Sequence, residues 1–412
     1  MQDTRQHVLL VAGGGIGGLA AALGAARAGW DVELCERAPA FTEVGAGVQL
    51  GPNAVRCLHA WGLEAALRGV AAYPDRLQVR SALSGRALAA MPLGPAIAAR
   101  YGAPYLAIHR ADLHGLLLAA VRPLPGVHLH QSETIANHTD SGQGVVLRTA
   151  AGHQLHGDAF IGADGLRSAT RARLLGEAPA RVSGHLAYRT VVAQASLPQR
   201  LRTAQVTAWL GPGLHVVQYP VRRGELMNIV AIRHGRPPDD LDHWDHAANA
   251  GDLEGALRGT CTALQDLVRA VPQAGAGWRL WPLCDRDPVG GAHEMARGRV
   301  ALLGDAAHPM RPYLAQGAGM AIEDAAVLQD VLAQAGIGVP ERLQRYAARR
   351  WQRSARVQRR AERNGRIFHA TGPVRWARDL SLRLLGERLL DQPWLYRAPG
   401  GAALPGGAGS SR

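Results

Sequence analysis

A chain that runs Val8-Leu9-Leu10-Val11-Ala12 straight into Gly13-Gly14-Gly15-Ile16-Gly17-Gly18 has few ways to fold. Five apolar residues are the length of one buried strand, and the glycines that follow end it. From Leu19 to Arg27 the chain is rich in Ala and Leu, which suits a helix. Gly13, Gly15 and Gly18 fit G-x-G-x-x-G. The first glycine allows a tight turn, the second a close approach of a pyrophosphate, the third close packing of helix on strand. Free N–H groups at the helix start then face the phosphates. A second strand is predicted over Asp31-Val32-Glu33-Leu34-Cys35 and ends at Glu36, eighteen residues after Gly18. A carboxylate there can accept hydrogen bonds from an adenosine ribose. The rival reading of residues 8–26 is a membrane span, since the stretch is uncharged, but its six glycines and central turn argue against spanning.

At 412 residues the chain has room for two domains or one large composite one, and 47% hydrophobic residues supply a core. Cys35, Cys57, Cys261 and Cys284 are scattered without C-x-x-C or metal-ligand spacing, a pattern of reduced thiols. Met1 to Arg5 leads directly into the first strand, leaving no room for a signal peptide. A soluble, cytoplasmic protein is expected. The net charge of +13 invites a nucleic-acid reading, yet there is no Lys, and all 46 basic residues are Arg. Fifteen Arg against five acids lie between Glu341 and Arg397. Over 342–363 they are dispersed around a helix with Leu343, Ala347, Trp351 and Ala355 on its apolar side, as expected of a solvated or salt-bridged face. No nucleic-acid partner and no membrane span are expected.

Further along, helices are predicted over Ala54–Arg68 and Ala111–Val121, with a hairpin at 77–88 between them. Strand-like segments near 127–131, 144–149 and 158–162 suggest a meander. Alternating runs over 185–192, 205–210, 215–221 and 227–232 suggest a second sheet, followed by a helix over Leu253–Val271. Nucleotide-domain character returns at Gly298 to Asp305, a buried strand ending in Gly-Asp. Helices follow over 317–335, 341–369 and 374–390, and the tail from Pro399 is rich in Gly, Ala and Ser.

Three separated signatures line up: the glycine turn with Glu36-Arg37; Phe160-Ile161-Gly162-Ala163-Asp164-Gly165-Leu166-Arg167-Ser168; and Gly304-Asp305-Ala306-Ala307-His308-Pro309-Met310-Arg311-Pro312 with Gln316-Gly317-Ala318-Gly319-Met320-Ala321-Ile322-Glu323-Asp324-Ala325. Their order and spacing resemble the single-component FAD-dependent aromatic hydroxylases, the salicylate and hydroxybenzoate hydroxylase family of flavoprotein monooxygenases. The resemblance also takes in Ile108-His109-Arg110-Ala111-Asp112-Leu113 and Tyr346 to Asn364, so it reaches to about residue 397.

The resemblance implies an α/β fold: a Rossmann-like FAD-binding domain, a mostly antiparallel β-sheet substrate domain and C-terminal helices. The expected division is 1–75, 101–180 and 285–340 for FAD, 76–100 and 181–284 for substrate, 341–397 as the helical region, and 398–412 as a disordered tail. The C-terminal helices are also a candidate homodimer contact. The resemblance places Gly13, Gly15 and Gly18 on the FAD pyrophosphate, Glu36 on the ribose, and Arg37 and Arg110 as cationic donors near the dinucleotide. It places Asp305 on the ribityl hydroxyls, and the helix opening at Gly317 against negative charge on the reduced flavin. Asp164 belongs to an Asp-Gly fingerprint associated with FAD and NAD(P)H, with a structural cap as its other reading. NADH or NADPH reduces the flavin in such enzymes, O2 adds to give a flavin hydroperoxide, and its distal oxygen passes to an electron-rich ring.

A phenolate attacks that oxygen better than a phenol does, so a base is needed. His215 is the candidate, with Tyr219 as a substrate hydrogen-bonding partner on the same strand face. The H-x-x-x-Y-P pattern is similar to that of relatives acting on hydroxybenzoates and hydroxynicotinates. A structural histidine is the competing account of His215. Gln49, Pro309 and Tyr313 are candidate substrate-site residues. Gln49 stands where hydroxynicotinate hydroxylases carry His, Pro312 where some 3-hydroxybenzoate 6-hydroxylases carry Gln, and Gly319 where wider relatives carry Asn. Arg189, Arg222 and Arg311 are candidates for a substrate carboxylate. His243-x-Asp245-His246 has no partner cluster in the sequence, so no metal is expected. The expected activity is NAD(P)H-dependent hydroxylation of a small aromatic acid or phenol. A decarboxylating salicylate-type hydroxylase, an NAD-linked oxidoreductase and a non-enzymatic flavin-binding partner remain as alternatives.

Overall fold

In the computed structural model, β1 (Val8–Ala12) lies between two parallel neighbours, with Leu9, Leu10 and Val11 fully buried. Burial on both faces is why its sequence is apolar without alternation. The structure describes residues 6–42, 46–176, 180–240, 246–247 and 250–397. Gly13 follows β1 at φ +102°, where a Cβ would also stand 2.5 Å from the Ala163 carbonyl oxygen. In α1 (Ile16–Arg27), a Cβ at Gly18 would lie 1.8 Å from the Gly13 carbonyl oxygen. Strand and helix therefore meet at a separation that excludes any other residue at 18. β2 (Asp31–Cys35) runs parallel to β1.

The chain continues through β3 (Gly47–Leu50), α2 (Pro52–Ala60), α3 (Glu64–Val70), β4 (Arg76–Ser81), β5 (Ala87–Pro92), α4 (Gly94–Tyr101), β6 (Leu106–His109) and α5 (Arg110–Val121). The single helix predicted over 54–68 is two helices, because Gly62 at φ +83° breaks it. Next come β7 (Val127–His130), β8 (Ile135–Asp140), β9 (Val145–Thr149), β10 (Gln154–Gly157), β11 (Ala159–Gly162) and α6 (Ala169–Leu175). The predicted meander at 127–162 is corrected: only β8–β9–β10 form an antiparallel sheet of their own. β7 is parallel to β2, and β11 is parallel to β1. All four residues of β11 are buried, so it belongs between neighbours rather than in an exposed ribbon.

β12 (Arg181–Ala193), β13 (Val206–Gly211), β14 (Leu214–Val221), β15 (Leu226–His234) and β16 (His246–Ala247) open the second sheet. α7 (Ala250–Ala256) and α8 (Thr262–Gln273) precede its last strand, β17 (Arg279–Asp285). The one helix predicted over 253–271 is again split, at Gly259 with φ +83°. Among the described residues the second sheet has the order β16-β17-β12-β15-β14-β13-β4-β5, antiparallel except where β13 meets β4. β18 (Ala296–Arg297) and β19 (Val300–Leu302) return to the first sheet, ordered β18-β19-β11-β1-β2-β7.

α9 (Gly317–Leu332) packs on α1 so closely that a Cβ at Gly24 would lie 2.9 Å from the Ala325 carbonyl oxygen. α10 (Val339–Phe368) covers α9, and α11 (Gly372–Leu385), α12 (Glu387–Leu390) and α13 (Pro393–Tyr396) follow. Several arginines of α10 are ion-paired: Arg345 with Glu341, Arg349 with Asp330, and Arg350 and Arg353 with Glu323. Among the described residues no helix is long and apolar enough to cross a membrane. The tail beyond Arg397, and His243 and Asp245 of the polar loop, lie outside the described residues.

Candidate active site

Two cavities meet at Gly15, Ala163 and Gly165. The outer one, about 320 Å³, is bordered by Gly13, Gly14, Glu36, Arg37, Phe41 and Asp164. The inner one, about 280 Å³, lies between the start of α9 and strands β14 and β15. Two helices point their N-termini at this space, α1 with Gly15 as N-cap and α9 with Gln316. Neither has a side-chain cap hydrogen bond or an acid in its first turn. Their unsatisfied N–H groups leave partial positive charge at both ends of the joined cavity.

Glu36 directly follows β2, beside the glycine turn. Its Oε2 accepts from the Gly14 N–H at 2.6 Å and its Oε1 from the Ala38 N–H at 2.8 Å. The carboxylate thus shapes the turn as well as lining the outer cavity. Asp164 does different work. Its oxygens accept from the Ser168 hydroxyl at 2.5 Å and from the Thr170 N–H and hydroxyl at 2.9 Å each, which fixes the start of α6. Arg37 is exposed at the outer cavity, and Arg110, at the start of α5, lines the inner one.

Asp305 stands on the inner wall in a 3-10 turn, Gly304–Ala306, with Gly304 at φ +62°. A buried network sets that turn. Asp324 Oδ2 accepts from the Gly304 N–H at 3.0 Å and lies 2.6 Å from His308 Nε2. Arg350, reaching in from α10, donates to Asp324 Oδ1 at 2.6 Å and to Glu323 Oε2 at 2.8 Å. Burial alone would raise both carboxyls. Arg350 and Arg353 nevertheless hold Glu323 down at about 2, and His308 and Arg350 hold Asp324 below its usual range. The sequence pattern showed Glu323-Asp324 and Arg350 separately; it carried no sign that they meet.

The donors and their spacing fit FAD. Gly13 and Gly18 keep the turn tight, since a Cβ at either would meet a backbone carbonyl, Gly13 and Gly15 line the cavity, Glu36 marks the outer end, and the α9 N-terminus and Asp305 mark the inner end.

Beyond α9 the inner cavity is walled by Gln49, Arg189, His215, Tyr219, Met310 and Pro312. His215 is buried on β14 with Nδ1 2.8 Å from His369 Nε2. Burial first, and then the neighbouring His185, lower it to about 3, so it is a neutral imidazole. The Tyr219 hydroxyl donates to the Gly47 carbonyl at 2.7 Å, and Gln49 Oε1 accepts from the Tyr105 hydroxyl at 2.6 Å. Pro309 and Tyr313 are buried off this wall, and the Tyr313 hydroxyl is engaged by His185 Nδ1.

The three carboxylate candidates separate cleanly. Arg222 pairs with Asp112 at 3.0 Å, and Arg311 pairs with Asp285 at 2.5 Å. The Arg189 guanidinium lines the cavity with its carbon 5.1 Å from the Trp281 ring, and no carboxylate partner is found among the described residues. Sequence reasoning missed His185, His234 and His369, which gather around His215 from β12, β15 and the end of α10. Their separation along the chain leaves no motif to find.

The protein-family model described as an FAD binding domain matches residues 5–247 and 280–361. The 3-hydroxybenzoate 6-hydroxylase of Polaromonas naphthalenivorans (strain CJ2) is 38% identical over 391 residues, 94% of this chain and 95% of that protein. A 3-amino-4-hydroxybenzoate 2-monooxygenase of Streptomyces platensis is 40% identical over 389 residues, again 94% and 95%. Among solved structures, a salicylate hydroxylase substrate complex superposes with a TM-score of 0.79 at 28% identity, covering 95% of both chains. With the flavin cradle, the two-sheet architecture and near full-length relatives in agreement, this chain belongs to the FAD-dependent aromatic hydroxylases, which use NAD(P)H as co-substrate.

Proposed function

We propose that this protein hydroxylates a small aromatic acid that carries a phenolic hydroxyl, of the hydroxybenzoate class. The observation that carries the reading is the pairing of Arg189 with His215 on one cavity wall. A half-buried guanidinium with no carboxylate partner among the described residues is an electrostatic deficit that a substrate carboxylate makes good. A neutral imidazole on the same wall can accept a phenolic proton. The related hydroxybenzoate enzymes act on molecules bearing both groups.

Gly13, Gly15, Gly18 and Glu36 would hold the adenosine diphosphate end of FAD, and Asp305 and the α9 N-terminus its flavin end. When bound, FAD supplies electrons from NAD(P)H to O2 and delivers one oxygen atom to an electron-rich ring. This chain's residues do the rest. Arg189 binds the carboxylate, His215 draws the proton from the phenol oxygen, and Tyr219 and Gln49 wall the ring. Val217, Val230, Ile232 and Met310 border the space with apolar surface that keeps water away from the reacting carbon. The four free cysteines support a reducing, cytoplasmic setting.

A screen of hydroxybenzoates, aminohydroxybenzoates and salicylates for stimulated NAD(P)H oxidation, with products identified by mass and carbon dioxide measured, tests the reading. Hydroxylated acid without carbon dioxide is the expected result. Hydroxylation of uncharged phenols alone would remove Arg189's role, and carbon dioxide release would assign a decarboxylating reaction. His215→Ala is expected to keep FAD and to lose hydroxylation about 100-fold or more.

A further inference from the structure

The buried His215 poses a problem for its own role. Enclosed away from water, it is a poor resting place for a proton, so a proton taken there needs an onward path. The structure supplies one. His215 Nδ1 lies 2.8 Å from His369 Nε2, and His369 Nδ1 lies 2.8 Å from His234 Nε2. His369 is buried at the end of α10, whereas His234, the last residue of β15, is exposed. Three imidazoles therefore connect the cavity wall to solvent, each joined to the next through opposite ring nitrogens.

We propose that His215, His369 and His234 form a proton relay that carries the substrate's phenolic proton out of the active site. The inference rests on the reading of His215 as the group that takes this proton. Before transfer, each ring carries its proton on Nδ1. The phenol O–H bond breaks and an N–H bond forms at His215 Nε2. The His215 Nδ1 proton passes to His369 Nε2, the His369 Nδ1 proton to His234 Nε2, and the His234 Nδ1 proton to water. A phenolate remains, one proton has left, and every ring is again neutral in its other tautomer. When the product's O–H bond forms again, the chain run inwards restores the starting tautomers.

The surroundings favour this use. His215 is faced by Tyr313, Phe368 and His185, and His369 by Tyr313, His185 and Arg378. His234 is faced by His185 and Arg311. Burial first, then the neighbouring histidines and Arg378, bring His369 down to about 2, and burial and Arg311 lower His234. Neutral rings offer one donor and one acceptor each, which is what a relay needs. The rings are also held in place. Gly213 donates its N–H to the His369 carbonyl at 3.1 Å and accepts from the His234 N–H at 3.2 Å. Arg378 caps the end of α10 through the Phe368 carbonyl at 2.7 Å. One nitrogen from each of His185, His234 and His369 lies within 4.8 Å of the others, a spacing open to a metal ion. The hydrogen bond between His369 and His234, and the guanidinium of Arg311 beside His185 and His234, favour a proton over a divalent cation.

The test uses FAD-loaded enzyme and 4-hydroxy-3-nitrobenzoate, whose phenolate is yellow and whose carboxylate suits Arg189. Mixing takes place in a stopped-flow cell at a pH where the free probe is mainly the phenol. After the relay has run, His215 Nε2–H donates to the phenolate and stabilises it, so the amount of bound phenolate reports that contact and the rate of its appearance reports the path. His234→Ala and His369→Phe are expected to slow ionisation about 10-fold or more while reaching the parent end point. Imidazole in the buffer is expected to restore the rate of His234→Ala, the solvent-side member. His215→Ala is expected to lose the end point itself. An unchanged end point in His215→Ala would overturn the base and the relay together. A lost end point there, with parent rates in His234→Ala and His369→Phe, would overturn the relay alone. Slowing of His234→Ala that imidazole does not relieve would also overturn it, as would stoichiometric Zn²⁺ or Ni²⁺ in purified holoenzyme. FAD content and circular dichroism show whether His369→Phe has folded; should it not, His234→Ala and its rescue decide the matter.

Discussion

Arg189 shows how burial turns an ordinary residue type into a selective one. Arg222 and Arg311 have the same side chain, but Asp112 and Asp285 already neutralise them. Arg189 lies against Trp281 and keeps its charge toward the cavity, with Arg110 on the same wall. The Arg189 guanidinium and the α9 N-terminus make this part of the inner cavity a place for an anion. Arg189→Met is therefore expected to weaken binding of an aromatic carboxylate about 100-fold, from the loss of a charge-assisted hydrogen bond of roughly 1.5–3 kcal/mol. Binding followed through perturbation of the flavin spectrum measures it. The matching phenol without a carboxylate is expected to bind parent and variant alike; an equal loss for both ligands would show that Arg189 shapes the cavity rather than reading charge.

At the level of elements, α9 and α10 carry the flavin-side turn between them. Asp324 and Glu323 leave α9 side by side, and Arg350 from α10 sits between them at 1% exposure. Removing one partner of such a buried cluster costs about 3–5 kcal/mol, because the remaining charges lose their compensation. Arg350→Met is thus expected to lower the unfolding midpoint and to loosen FAD together, since Asp324 also holds Gly304 and His308. The cluster carries a pH signature as well. Glu323 lies at about 2 in the fold against an ordinary 4.5, so its stabilisation is complete above about 4.5 and is lost as pH falls toward about 2. Denaturant titrations across that window are expected to show a fall on the order of 3 kcal/mol that Glu323→Gln does not share. Little of this was legible in advance. Residues 8–36 could be read because their strand, turn and helix touch near neighbours, and Gly13 and Gly18 exclude a Cβ by local geometry. Gly62 and Gly259 lay in plain view, yet the apolar pattern continued across both and hid the helix breaks. The meander at 127–162 misled because short apolar strands look alike until their two faces are known. Arg350 and His369 lie 26 and 154 residues from the groups they serve, beyond any periodicity.

At the scale of the molecule, the substrate cavity lies between the start of α9 and the second sheet, and His369 at the end of α10 backs its wall behind His215. The discontinuous division of the chain is our proposal, supported by the hairpin of β4 and β5 joining the strands of 181–285 in one sheet. α11 adds a further consequence. Trp376, Leu380 and Leu384 recur every four residues on its outer side and are 70%, 57% and 74% exposed, with Val374 beside them. A continuous apolar stripe of this kind seeks a partner. We propose that a second copy of the chain supplies it, because the stripe is self-complementary. An antiparallel pairing about a two-fold axis near Leu380 sets Trp376 of one copy against Leu384 of the other, and the reverse. Asp379 is already paired with Arg378 within the same helix, so the contact rests on the apolar side chains of the stripe. Sedimentation of the parent is expected to give a dimer, and Trp376→Glu with Leu380→Glu a monomer that still binds FAD, since neither residue reaches the cavities. A parent that sediments as a monomer at concentrations of about 10 μM or above would remove the pairing, leaving the stripe to another partner.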